Sequence, residues 1–161
     1  ISAMPRRERP TFGLSYLAGL LHNFGYLVLA HVFPPHFSLI CRYTEVNGHV
    51  PHELVEHHLI GITREQIGGV LMDLWNMPEE VVTAIRHQKN PDYRGEHAAY
   101  ANALYLARAL LVERGVKLGP QMPVPDELYE RLNVPRERVA EEMDILVENS
   151  DSVASMAGML A

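Results

Sequence analysis

Leu20-Leu21-His22-Asn23-Phe24-Gly25 sets two polar residues inside a run whose apolar positions, Leu17, Leu20, Leu21, Phe24, Leu27 and Val28, recur every three or four residues. That period belongs to a helix with one apolar face, and it predicts a helix from about Thr11 to Ala30. Gly19 and Gly25 would permit close contact with a neighbouring helix. The same periodicity repeats along nearly the whole chain, and alternating runs are few. The fold class that follows is all-α.

Upstream, Pro5, Pro10 and the tetrad Arg6-Arg7-Glu8-Arg9 make residues 1–10 a linker or loop. Downstream, Pro34-Pro35 ends the first helix and starts a second that carries Phe37, Leu39, Ile40 and Tyr43 inward, up to Asn47-Gly48. A short helix from Pro51 to Ile60 stops at Gly61. Thr63-Arg64-Glu65-Gln66 has the spacing of a capping box, opening a helix with Ile67, Val70, Leu71 and Leu74 inward and closing near Trp75-Asn76. Pro78-Glu79-Glu80 starts the next, with Val81, Val82 and Ile85 in the core, to about His87. After the loop Asn90–Gly95, a long helix runs from Glu96 to Arg114, where Gly115 stops it. The breaker-rich segment from Gly119-Pro120 to Pro125 precedes helices over Asp126–Leu132 and Pro135–Asn149, the latter with a continuation to Met159. Residues 120–161 read as a C-terminal helical subdomain of a domain spanning 11–161, with Met156 and Met159 as core or tail residues.

The chain has 161 residues, 47% hydrophobic and 21% charged, enough for one domain with a real core. Net charge is −6 and the basic residues are scattered, which argues against a nucleic-acid surface. Cys41 is the single cysteine, so no intrachain disulfide and no thiolate zinc site is expected. The start lacks signal-peptide order, and no uninterrupted apolar run approaches membrane-spanning length, so a soluble cytoplasmic protein with no membrane partner is expected.

Eight of the nine histidines lie between His22 and His87. His31, His36, His49, His52 and His97 lack carboxylates at ligand spacing and read as surface imidazoles. Glu53 and His57 lie four apart on one helical face and could share a metal, although the adjacent His58 points about 100° away on a helix.

In order, Leu20–Gly25, Gly61-Ile62-Thr63-Arg64-Glu65-Gln66-Ile67-Gly68, Leu74-Trp75-Asn76-Met77-Pro78, Ala84-Ile85-Arg86-His87-Gln88 and Tyr100-Ala101-Asn102-Ala103-Leu104 resemble the HDOD domain over about residues 11–115. The resemblance implies an HD-domain-like helical bundle, related to the HD and HD-GYP phosphohydrolases and found in bacterial signalling proteins, often behind a receiver domain. In the catalytic relatives several His and Asp residues hold metals that activate a hydroxide. Here His22 matches the first member of the His-Asp doublet, and Asn23 replaces its carboxylate. Tyr26 stands where HD-GYP proteins usually have a Lys, and Arg64 takes the position of a later His. His87 matches one of a His pair, Gln88 replaces its partner, and Asn102 stands in place of the closing Asp.

A dinuclear centre must offset about four positive charges, and these positions supply no carboxylate and add a guanidinium. The resemblance therefore implies a catalytically inactive output or scaffold module of bacterial signal transduction, without metal or cofactor, acting on a signalling partner or receiver domain. Two rivals stand beside it. One is a phosphohydrolase or phosphodiesterase with a single divalent metal on His22, His87 and either His57 or Glu56. The other is a domain that binds a nucleotide or phosphate through Arg64, Arg86 and His87 without cutting it. Family members usually carry helices ahead of the His-Asp segment, so the apolar faces those helices would cover are expected to need another lobe or a homo-oligomer.

Overall fold

The computed structural model describes the backbone of residues 9–116 and 120–159, with side chains to Ser150. Residues 1–8 of the expected 1–10 linker and the packing of Met156 and Met159 lie outside the described residues. Among the described residues the fold is all-helical, without strands: α1 (Phe12–Leu21), α2 (Phe24–Val32), α3 (Pro34–Val46), α4 (His52–Ile60), α5 (Arg64–Leu74), α6 (Glu79–His87), α7 (Ala98–Glu113), α8 (Asp126–Leu132) and α9 (Arg136–Met159).

The first helix differs from expectation, because the run from Thr11 to Ala30 is two helices broken at His22-Asn23. His22 Nδ1 bonds back to the Gly19 carbonyl at 2.6 Å, and the His22 carbonyl leaves the helical ladder to accept the Gln88 side-chain amide at 2.9 Å. Asn23 then caps α2 through its carbonyl, which accepts from Tyr26 N and Leu27 N. The membrane expectation also needs correction, since Phe12–Val32 taken together is long and apolar enough to span a bilayer by length and composition. In the fold this stretch is interrupted at His22-Asn23 and buries Ala18, Gly25 and Leu29 against other helices, while most of it is exposed or half-buried.

Helix α5 lies at the centre, packed between α2 and α6; α6 in turn packs on α1 and α7, and α7 carries α8 and α9. The capping box forms as read, with Gln66 N donating to Thr63 Oγ1 at 3.3 Å and Thr63 N to Gln66 Oε1 at 2.9 Å. It fixes where α5 starts, and therefore where Arg64 sits. Gly61 ends α4 in the left-handed region at φ 75°, which the missing Cβ permits.

The expected inward faces are partly wrong. Val70 and Leu74 of α5 are exposed, and Glu65, Gly68, Gly69 and Met72 are buried in their place. The cause is backbone contact: a Cβ on Gly25 would fall on the Arg64 carbonyl, and one on Gly68 would meet Ile85 Cγ2 at 2.9 Å. Glycines at these crossings draw α2 and α6 onto the glycine face of α5 and turn its neighbouring stripe outward. Gly19, by contrast, faces open space. Leu20, Leu27, Leu39 and Tyr43 are exposed as well, and with Phe12, Tyr16 and Val32 they leave much apolar side chain on the outer faces of α1 to α3.

Three cores result. Ala18, Met72, Val81, Val82, Ala84, Ile85 and Tyr100 join α1, α5, α6 and α7; Leu29, Ile40 and Val55 join α2 to α4; Tyr105, Leu106, Ala109, Leu110, Leu128 and Tyr129 join α7 and α8. The site lies where elements from all three regions meet.

Candidate functional site

A cavity of about 650 Å³ opens among α2, α4, α5, α7 and the segment 120–123. His22, Asn23 and Tyr26 reach it from the α1–α2 break, His49, His52 and Glu53 from the start of α4, and Arg64 from the first turn of α5. Lys89 and Pro91 follow α6, Tyr105 and Arg108 come from α7, and Met122 and Pro123 close the far end.

Charges are buried around this space in an ordered way. The fully buried Glu56 carboxylate accepts from the Arg64 backbone amide at 2.9 Å and from Arg64 Nε. Burial pushes the Glu56 carboxyl above its ordinary value, against the pull of Arg64. The Arg64 guanidinium lies over the Tyr26 ring, 4.7 Å from its centroid, and its Nη2 donates to His52 Nδ1 at 3.3 Å. Burial lowers the His52 pKa, with Arg64 and Lys89 adding to the effect. Lys89 Nζ bridges Glu53 at 3.0 Å and the buried Glu65 at 3.2 Å.

The third cation differs. Arg108 is only 8% exposed, and among the described residues no carboxylate lies within ion-pair distance of it. Its Nη1 donates to the neutral Gln88 Oε1 at 2.7 Å, and its Nε is buried without a partner among the described residues. Gln88 is held from its other end, with Nε2 donating to the carbonyls of His22 at 2.9 Å and Ile85 at 3.0 Å. His22 is thus tied to Arg108 through Gln88. Its pKa is lowered by burial and also by Arg108, against the Gly19 hydrogen bond.

A family model described as the HDOD domain matches residues 3–91, more than half of the chain. The chain belongs to the HDOD family. A solved structure of a protein assigned to signal transduction, from Marinobacter aquaeolei, is 57% identical to it, with a TM-score of 0.87 over 97% of this chain and 34% of its own. An uncharacterized protein of Treponema pallidum is 31% identical over 78 residues, 47% of this chain and 15% of that protein. The chain spans a minor part of either relative.

Of the degenerate positions in this HDOD domain, His22, Asn23 and Arg64 line the cavity, and Gln88 stands directly behind the wall. The other two turn elsewhere. His87 stacks on Tyr93 at 3.9 Å and 8°, and Asn102 Nδ2 donates to the Tyr93 carbonyl at 3.4 Å while its buried Oδ1 has no partner among the described residues. Arg86 pairs with Asp73 at 2.8 Å on the surface and does not line the cavity, so the expected Arg64–Arg86–His87 phosphate cluster is not assembled. Glu53 is engaged by Lys89, His57 and His58 are exposed, and His52 is a cavity residue instead of a surface imidazole.

Among the described residues no group of three or more His, Cys, Asp or Glu is placed to hold a metal ion. Arg64, Lys89 and Arg108 stand on the wall of the cavity in this HDOD domain. Sequence reading missed Lys89, Arg108 and Glu65, and it placed Glu56 only as a candidate metal ligand, not as the partner of Arg64. Arg108 carried a usable signal, lying four and eight residues beyond the core positions Leu104 and Tyr100, so that the helix must take a charge inside.

Proposed function

We propose that this HDOD domain is a catalytically silent module of bacterial signal transduction that works by binding and relay. The observation that carries this reading is the Glu56–Arg64 pair. The fully buried carboxylate beside the cavity is saturated by a guanidinium, and that guanidinium occupies the wall where a metal ligand would be needed. A divalent cation there would meet Arg64, Lys89 and Arg108 before it met a free carboxylate. Family context supports the same role, with a receiver domain or another signalling protein as the natural source of input.

The test is metal analysis of protein purified without chelator, alongside turnover assays with bis(p-nitrophenyl) phosphate and cyclic dinucleotides. No stoichiometric metal and no turnover are expected. Stoichiometric metal that disappears in His22→Ala, together with hydrolysis, would establish a reduced one-metal phosphohydrolase instead.

A further inference from the structure

The cavity is lined by three cations whose compensation is uneven. Arg64 has Glu56, and Lys89 has both Glu53 and Glu65. Among the described side chains Arg108 has only the amide oxygen of Gln88. A guanidinium stays charged at any pH the fold survives, so burial cannot be relieved by losing a proton. Burying a charge whose direct hydrogen-bond partner is neutral is costly, and an anion seated beside it reduces that cost. Through space Glu65 and Glu53 act favourably on Arg108 and Arg64 unfavourably, but both carboxylates are already held by Lys89, so an anion seated between Arg108 and Arg64 would offset burial and the repulsion between the two guanidinium groups.

The rest of the wall restricts what carries that anion. The cavity, at about 650 Å³, is much larger than a bare phosphate and lies within the range of small-molecule sites. Pro91, Tyr105, Met122 and Pro123 give part of it an apolar lining, with the Tyr105 hydroxyl tied to the Pro123 carbonyl. The neutral His22 ring, donating through Nδ1 to Gly19, leaves Nε2 as an acceptor for a ligand hydroxyl, and the Asn23 amide can donate.

We infer that the cavity binds an organic phosphate of nucleotide size, its phosphate held between Arg108 and Arg64 and its apolar body against the proline-rich wall. This rests on the reading of the domain as a silent binding module, and it identifies what the module binds. No bond is made or broken.

The whole chain would be titrated calorimetrically, in the presence of a chelator, with 5′-AMP, inorganic phosphate and adenosine as separate probes. AMP is expected to bind at least about tenfold more tightly than phosphate, with adenosine weaker still. Arg108→Gln should abolish AMP binding. Asn23→Asp is the safer variant, because Asn23 is exposed at the start of α2, where Asp is equally suited. It adds one negative charge to the wall and should weaken AMP about tenfold. If Arg108→Gln does not fold, Asn23→Asp carries the comparison alone. Three results would overturn the inference: no heat with AMP or phosphate up to about 10 mM, adenosine binding as well as AMP, or unchanged affinity in folded Asn23→Asp. Phosphate release from AMP would overturn the silent-module reading itself, whereas absent binding without turnover removes only the inferred ligand.

Discussion

Gly25→Ala and Gly19→Ala are chemically the same change within seven residues, and the fold requires them to have opposite effects. Gly25 is buried at the α2–α5 crossing, where a Cβ would coincide with the Arg64 carbonyl and lie 2.9 Å from Gly68 N. These are backbone atoms, so no side-chain rotation relieves the clash, and α2 must move off α5. Overpacking of this kind costs about 1–3 kcal/mol when side chains can adjust, and a backbone clash belongs at about 3 kcal/mol or above. Gly19 sits in α1 with nothing within 4 Å of where an alanine methyl would stand, so alanine there should stabilise by about 0.5–1 kcal/mol through helix propensity. For a domain of this size each kcal/mol moves Tm by about 2–4 °C, so Gly25→Ala should melt at least roughly 6 °C lower and Gly19→Ala roughly 1–4 °C higher than the parent. Thermal unfolding followed by circular dichroism reads both. A Gly25→Ala protein that melts within about 2 °C of the parent would refute the close-approach account of the α2–α5 contact.

Three other outcomes follow from the site and core. Gln88→Ala removes the amide that satisfies the His22 and Ile85 carbonyls and accepts from Arg108, and should cost roughly 2–3 kcal/mol in urea denaturation; a loss below about 1 kcal/mol would contradict the bridging role. Met72→Ala empties a fully buried position in the main core and should cost about 2–5 kcal/mol by the same measurement, with a near-neutral result excluding the packing described. His22, His52 and His87 all have pKa values lowered from 6.5 by burial, so below that pH the unfolded chain takes up protons that the folded one resists. Stability should therefore be constant with respect to these groups above 6.5 and fall as pH drops below it, with His52→Gln flattening the slope; an unchanged slope in that variant would exclude His52 as a contributor.

The helices were legible in the sequence because their signals are local. The Thr63–Gln66 box, Gly61 and the Pro78 start are each decided by a few adjacent residues, and the ends of α4, α5 and α6 fall within about two residues of the positions they predict. The break at His22-Asn23 was hidden for the opposite reason. The donor that meets His22's freed carbonyl is Gln88, sixty-six residues away, and no periodicity inside the Leu20–Gly25 stretch encodes that partner. The same distance separates what was readable in the site from what was not. His22, Asn23 and Arg64 were found through the order of short motifs, and all three line the cavity. Lys89 and Arg108 belong to no motif, and their roles arise only when α6 and α7 bring them alongside Glu53, Glu65 and Gln88.

That division bears on the chemistry these positions can support. Replacing ligands by Asn23, Arg64 and Gln88 would, with nothing else altered, leave a metal pocket with weak affinity. The surrounding charges show a different outcome. Arg64 has a buried carboxylate of its own in Glu56, and Gln88 is used at both ends of its amide. These replacements are integrated into the hydrogen-bonding of the interior. A single reversion such as Asn23→Asp would therefore restore one carboxylate on the wall while Arg64 and Arg108 still opposed a cation, so it is expected to change anion affinity without creating a metal centre.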